Sequence, residues 1–215
     1  MHTTFSDGRD TVEAMLAAAA ARGLSCVALT DHVRRSTDWF PRYVEEVRRA
    51  ARRFPELTVY VGLEAKALDF GGTLDATEEM LELADFVLGS VHRYPDGRGG
   101  MREFDDVTAE EAQRLELEAT LGLIRSPKVS AVAHPGGTYS RRYGPFPEPL
   151  RRELFEAARR HGKPLEVSAK YERGVERALL LHREHGVGFT LGSDAHAASE
   201  VGRVVEALMK AVVGC

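Results

Sequence analysis

Cysteine is scarce in this chain of 215 residues: there are two, Cys26 inside an apolar run and Cys215 at the last position. Two such thiols cannot build a disulfide framework, and they point to a reducing compartment. Long apolar runs are missing too. None reaches the ~18 residues that a membrane helix needs, and the longest, at 15–21, is alanine-rich and flanked by charge. The opening residues, Met1-His2-Thr3-Thr4-Phe5-Ser6-Asp7, carry no basic cluster and no apolar core of the kind that directs secretion. The expectation is a cytoplasmic protein without a membrane partner. An excess of positive charge is also lacking: Lys and Arg total 29 against 33 Asp and Glu, a formal net charge of −4. Proteins built to grip nucleic acid are usually basic, so that partner is disfavoured. The chain shows no internal repeat and no low-complexity linker.

What is present suits an ordinary folded domain. Hydrophobic residues make up 43% and charged residues 29%, enough apolar surface for a core and too much for disorder. The length suits a single domain over 1–215. Apolar runs of strand length occur at 26–29, 58–63, 86–88, 129–133, 165–167 and 187–191, several without a polar interruption, as in strands covered on both faces. Helical patterns lie between and around them, at 11–22, 41–53, 77–83, 109–125, 149–160, 174–184 and 199–213. Asp10 is the expected N-cap of the first, with Glu13 three residues on and Gly23 as its stop. Strands alternating with helices imply an α/β fold with parallel strands. Six strands are too few for an eight-stranded barrel and fit a doubly wound sheet or a smaller closed barrel.

The chemistry follows the strands. The first run ends in Thr30-Asp31-His32, the second in Gly62-Leu63-Glu64, the third in Gly89-Ser90-Val91-His92 and the fourth in His134-Pro135-Gly136-Gly137. The fifth reaches Ser168 and Lys170, and the sixth ends in Gly192-Ser193-Asp194-Ala195-His196. In parallel α/β folds the carboxyl ends of the strands share one face, where active sites form. Asp194 and His196 are two apart on extended chain and can point to one side. Imidazoles and carboxylates converging without thiolates describe a site for Zn²⁺, Mn²⁺ or Fe²⁺. Each residue alone has a plainer use: Asp31 or Asp194 as a helix cap, Glu64 as a partner for Lys66. His161, His182 and His185 sit at helical C-termini, where an imidazole favours the helix dipole, and read as structural.

Taken in this order, Thr30-Asp31-His32, Gly62-Leu63-Glu64, Ser90-Val91-His92, His134-Pro135 and Gly192-Ser193-Asp194-Ala195-His196 resemble the PHP (polymerase and histidinol phosphatase) family over almost the whole chain. Members of that family usually open with a strand ending in Asp-x-His-x-His and then a Ser-Asp-Gly. His2 and Ser6-Asp7-Gly8 correspond to the second histidine and to that tripeptide. The first strand and first histidine would precede Met1, so either the chain starts upstream or this form lacks one strand and one ligand. The resemblance implies a distorted (β/α)₇ barrel with its first strand missing or truncated. It implies two to three divalent metal ions (Mn²⁺, Fe²⁺ or Zn²⁺) in a trinuclear site. By position, one metal would take His2, Glu64 and Asp194. A second would take Glu64, His92 and His134, and a third Asp7, His32 and His196.

Such a site suggests a metal-dependent phosphoesterase, in which a metal-bridging hydroxide hydrolyses a small phosphomonoester. Asp194 is a candidate to take the proton of water, and His196 to protonate the leaving group. Basic residues near the motifs are Arg34, Arg35, Lys66, Arg93, Arg141, Arg142 and Lys170. Arg93, Arg141 and Lys170 are the expected substrate-binding groups, being closest in sequence to ligands or strand ends. The stretch 34–40, with the only tryptophan, Trp39, could cover the site. Histidinol phosphate, a nucleoside monophosphate or a sugar phosphate would all suit as the small phosphorylated metabolite. Two other classes remain: an amidohydrolase-type hydrolase, and a non-catalytic metal-binding module with a degenerate site. An unpaired barrel edge would invite an oligomer.

Overall fold

The structure is a computed structural model, and it describes residues 1–171 and 175–213. Gly174, the expected start of one helix, and Cys215 lie outside the described residues. All six expected strands form: β1 (Cys26–Val33), β2 (Thr58–Lys66), β3 (Phe86–Ser90), β4 (Ala131–Val132), β5 (Leu165–Ser168) and β6 (Phe189–Gly192). They follow one another in one sheet in chain order. Pairing is parallel where β1 meets β2 and where β4 meets β5. Among the described residues no helix is long and apolar enough to cross a membrane.

The helices are α1 (Val12–Ala21), α2 (Phe40–Ala51), α3 (Glu78–Leu83), α4 (Ala109–Arg125), α5 (Gly137–Tyr143), α6 (Glu148–His161), α7 (Val175–His185) and α8 (Arg203–Val213). Their ends obey local chemistry. Thr108 and Glu111 close a reciprocal capping box at the start of α4. Gly162, left-handed at φ 60°, stops α6. The expected cap of α1 is displaced by one residue. Thr11 accepts from Ala14 N, while Asp10 accepts instead from Ala198 N at 2.8 Å and ties the start of α1 to the chain beyond β6. Helix α5 was not legible in the sequence, where Gly136-Gly137 suggests only a turn.

The chain divides into two compact units, one of Met1–Ala65, Ala76–Leu88 and Gly192–Cys215, the other of Lys66–Asp75 and Gly89–Leu191. In the first, α1 and α2 bury Met15, Leu16, Phe40, Tyr43 and Val47 with Leu29 and Leu63 of the strands. Burying such side chains stabilises the unit by about 1.5–3 kcal/mol each. In the second, α4 and α6 bury Leu123, Ile124, Leu154 and Ala158 with Leu165 and Val167 of β5.

The N-terminal residues occupy the place of a strand end. Met1 O accepts from Thr30 N of β1 at 2.8 Å, and His2 N donates to Ala195 O, past β6, at 2.8 Å. Residues 1–3 thus bond to β1 on one side and to the Asp194–His196 segment on the other.

Candidate metal centre

In the first unit, β1 and β2 run further than their apolar cores suggested, so that His32 and Glu64 are strand residues paired in register. The turn at 3–8 adds His2 and Asp7. This turn is organised by Asp31, whose buried carboxylate accepts from Thr3 N at 2.8 Å, Ser6 N at 3.2 Å and Ser6 Oγ at 2.7 Å. Asp31 is therefore not a helix cap; it holds the turn that carries two candidate ligands. Beneath it, burial and then the Asp31 carboxylate push the Tyr43 hydroxyl well above the ordinary tyrosine range. That hydroxyl donates to Leu29 O at 2.8 Å.

Six of the eight expected ligands gather here. His2 Nε2 lies 3.3 Å from Asp194 Oδ1 and 3.5 Å from Glu64 Oε2. His32 reaches Glu64 Oε2 through Nδ1 at 3.8 Å and Asp7 Oδ2 through Nε2 at 3.7 Å. His196 Nε2 is 3.4 Å from Asp7 Oδ2, and its Nδ1 meets Asp194 O at 2.9 Å. One ligand atom from each of His2, Asp7, His32 and His196 falls within 4.8 Å of the others. The rings of His2 and His32 stack at 4.3 Å, with that of His196 4.5 Å from His2. Burial raises the Asp7 carboxyl, but His32, His196 and His2 outweigh it and hold the group below the ordinary carboxylate range. Asp194 sits at φ 44°, a conformation that a non-glycine residue seldom adopts and that costs about 1–3 kcal/mol.

The donor set fits divalent metal ions. Three carboxylates and three imidazoles crowd together, His2 and Glu64 only 1% and 3% exposed. Neither lysine nor arginine pairs with this cluster among its described ion pairs. The buried His2 Nδ1 has no hydrogen-bond partner among the described residues. His2 Nε2 faces the carboxylates of Glu64 and Asp194, and a cation there would meet the imidazole lone pair and relieve the repulsion between the two carboxylates.

In the second unit, His92 and His134 stack at 5.4 Å, and Tyr171 lies 4.7 Å from His134. His134 is at φ 27°. Its strained backbone is held from both sides: its N–H donates to the buried Glu166 at 2.9 Å, and its carbonyl accepts from Gly137 N at 2.7 Å. A side chain at Gly137 would stand 2.9 Å from His134 Nδ1. Glu116, inside α4, accepts from Tyr139 N at 3.2 Å. Burial pushes its carboxyl up to about 7, against the hydrogen bond from Tyr94 and the charge of His134. Sequence reasoning missed Glu116, Glu166 and Tyr171, since nothing in their neighbours marks them as buried or adjacent to a histidine.

The expected basic residues part company. Arg141 and Lys170 line one pocket of this unit. Arg93 is exposed and paired with Glu103 at 3.2 Å. Lys66 pairs with Asp75 at 2.6 Å, not with Glu64. Of the plainer histidines, buried His182 meets Val187 O through Nδ1 at 3.2 Å and packs edge-on to Phe155 at 4.8 Å. Trp39 packs against Phe5 at 5.5 Å and edge-on to Tyr43 at 5.8 Å.

The chain matches the PHP domain family over residues 1–176 and the PHP-associated family over residues 173–211. It is 27% identical over 203 residues to a protein of Caldicellulosiruptor saccharolyticus named a probable phosphatase, covering 90% of this chain and 77% of that one. Its fold matches that of histidinol phosphate phosphatase from Lactococcus lactis, solved with zinc, L-histidinol and phosphate. The TM-score is 0.73 at 23% identity, covering 98% of this chain and 89% of the other. A chain from Listeria monocytogenes gives a TM-score of 0.74 at 19% identity, with 94% and 96% covered. With the family matched over residues 1–176 and the fold in agreement, this chain belongs to the PHP domain family.

Proposed function

We propose that this protein is a metal-dependent phosphatase that hydrolyses a small phosphomonoester. The observation that carries this reading is the cluster of Asp7, Glu64 and Asp194 with His2, His32 and His196 in a largely buried place. The phosphatase names borne by relatives that match 90% of this chain support it. His2, Asp7, His32, Glu64, Asp194 and His196 would hold metal, and the order of motifs assigns His92 and His134 to the same set. Two to three divalent ions suit these eight residues. When bound, such ions acidify water and draw off the charge that develops on phosphoryl oxygens.

The chain's own residues do the rest. Asp194, next to His2 and at an uncommon backbone angle, is the proposed acceptor of a proton from water. His196 Nδ1 faces a carbonyl, which orients the ring and leaves Nε2 toward Asp7 as the working nitrogen. His196 is proposed either as a ligand through Nε2 or, with that nitrogen protonated and free of metal, as the group that hands a proton to the leaving oxygen. Arg141, Lys170 and Arg93 are the proposed substrate-binding cations, of which Arg141 and Lys170 share a pocket.

Elemental analysis of protein purified without chelator, joined to a substrate panel, tests the proposal. Two to three metals per chain and release of phosphate from phosphomonoesters, but no cleavage of unphosphorylated amides or esters, is the expected result. Metal at trace level, or cleavage of amides alone, would overturn it.

A further inference from the structure

The backbone of His134 is held where a non-glycine residue seldom sits, at φ 27°. Such a conformation persists only where its surroundings over-determine it. The N–H of His134 donates to Glu166 of β5 at 2.9 Å, and its carbonyl accepts from Gly137 N at 2.7 Å. Gly137 opens α5, a helix of seven residues whose N-cap, Gly136, has no side chain to offer. The carboxylate that serves this end of the helix comes from another element: Glu116 of α4 accepts from Tyr139 N at 3.2 Å. Three residues earlier on α4, Gln113 Nε2 donates to Tyr139 Oη at 3.0 Å. Helix α4 thus grips Tyr139 by its backbone and by its ring hydroxyl.

The same first turn of α5 reaches the second histidine of this unit. Thr138 Oγ1 donates to Val91 O, in the peptide that precedes His92. The His92 and His134 rings lie 5.4 Å apart and 17° from parallel. A Cβ at Gly137 would crowd His134 Nδ1 at 2.9 Å, so the ring has little room on that side. Both carboxylates are buried, Glu116 to 1% exposure and Glu166 to 8%. Burying a carboxylate is unfavourable, yet the fold does so twice around one histidine. An apolar side chain of like size would serve core packing at least as well. What it could not do is accept from a backbone N–H.

We propose that Glu166 and Glu116 are positioning residues for metal binding. Glu166 fixes the His134 peptide, and Glu116 fixes the α5 turn that joins His134 to the peptide before His92. The proposal rests on the assignment of these two histidines as metal ligands made above. Neither glutamate belongs to the ligand set. Their part is to hold the two imidazoles in one orientation, as groups behind a ligand commonly do.

Zinc retained by the purified protein against a graded series of chelator concentrations tests this, with total metal from elemental analysis. Glu166→Ala and Glu116→Ala should each hold zinc at one site about 10- to 100-fold less tightly than the natural chain. Glu166→Gln and Glu116→Gln keep an oxygen that accepts from the same N–H, and most of the loss should be recovered in them. Leu154→Ala opens a cavity in the core of the same unit. It should unfold in less urea and yet hold zinc like the natural chain. Where an alanine variant does not fold, Glu166→Asp or Glu116→Asp draws the acceptor back by one carbon while keeping the charge, and the same weakening is expected. Undiminished zinc binding in the alanine variants, an equal loss in Leu154→Ala, or glutamine variants no better than the alanine ones would overturn the proposal. His134→Ala separates this proposal from the one it rests on. If that variant loses zinc while the glutamate variants do not, His134 is a ligand and the positioning role alone fails. If it keeps all its zinc, or the natural chain holds none, the ligand assignment falls and the positioning role with it. Phosphatase activity enters none of these outcomes, so a chain that cleaves no phosphoester can still bear the positioning role out.

Discussion

His32 and Glu64 are register partners on neighbouring parallel strands, and His32 Nδ1 lies 3.8 Å from Glu64 Oε2. Strand pairing alone thus delivers an imidazole and a carboxylate side by side. Glu64→Gln keeps the shape and removes the charge that attracts a cation. We expect at least one fewer metal per chain by elemental analysis and a loss of about 100-fold or more in kcat/KM. Unchanged metal content in this variant would remove Glu64 from the ligand set.

Asp31 acts on the same centre from below. Its carboxylate accepts from Thr3 N, Ser6 N and Ser6 Oγ, all in the turn that bears His2 and Asp7. Asp31→Ala orphans these donors and should cost about 2–4 kcal/mol in urea unfolding. It should also lower metal content, although Asp31 is not a proposed ligand. A variant that binds metal fully would show that the turn closes without it.

Gly8 is constrained by backbone. A Cβ there would stand 2.4 Å from His2 O and 2.7 Å from Thr3 N. Neither atom can swing away as a flexible side chain could. Gly8→Ala should lower the melting temperature by several degrees and weaken metal binding through His2. A melting curve and metal content equal to those of the natural chain would count against this packing.

Glu116 predicts a pH dependence. Its carboxyl is raised by burial from 4.5 to about 7, so between these values the folded chain keeps a proton that the unfolded chain has released. Stability then falls as pH rises across that interval, and the loss is complete above it. Urea unfolding at pH 5 and pH 8 should show the natural chain losing on the order of 3 kcal/mol more than Glu116→Gln. The same pH slope in both proteins would refute the assignment.

His182 separates structural from ligating histidines. It lies buried in α7, its ring edge-on to Phe155 of α6 and Phe189 of β6. His182→Ala should destabilise the fold by about 2–3 kcal/mol and leave the metal content of the folded protein unchanged. Loss of metal from a variant that still folds would contradict this.

Much of the fold was legible because its signals are local. Each strand holds a short apolar run, and several helix ends carry a local signal, such as Thr11 before α1, the capping box of α4 and Gly162 after α6. The bounds shifted where polar residues belong to strands: Asp31 and His32 extend β1, and Glu64 extends β2. Asp10 lost its expected role because a distant amide, Ala198 N, competes for its carboxylate. Helix α5 stayed hidden because its seven residues begin with a glycine and carry no apolar stripe.

The residue types that follow each strand are determined by the sequence alone, and so is their order. Parallel α/β chemistry sends strand ends to one face, so the gathering of His2, Asp7, His32, Glu64, Asp194 and His196 could be anticipated from motifs. Only the tertiary structure decided what lies behind them. The pairing of residues 1–3 with Thr30 and Ala195, the hold of Asp31 on the turn and the burial of Glu116 and Glu166 all join distant parts of the chain. A charged side chain looks the same in sequence whether water or protein surrounds it, and the difference arises only when helices and strands pack.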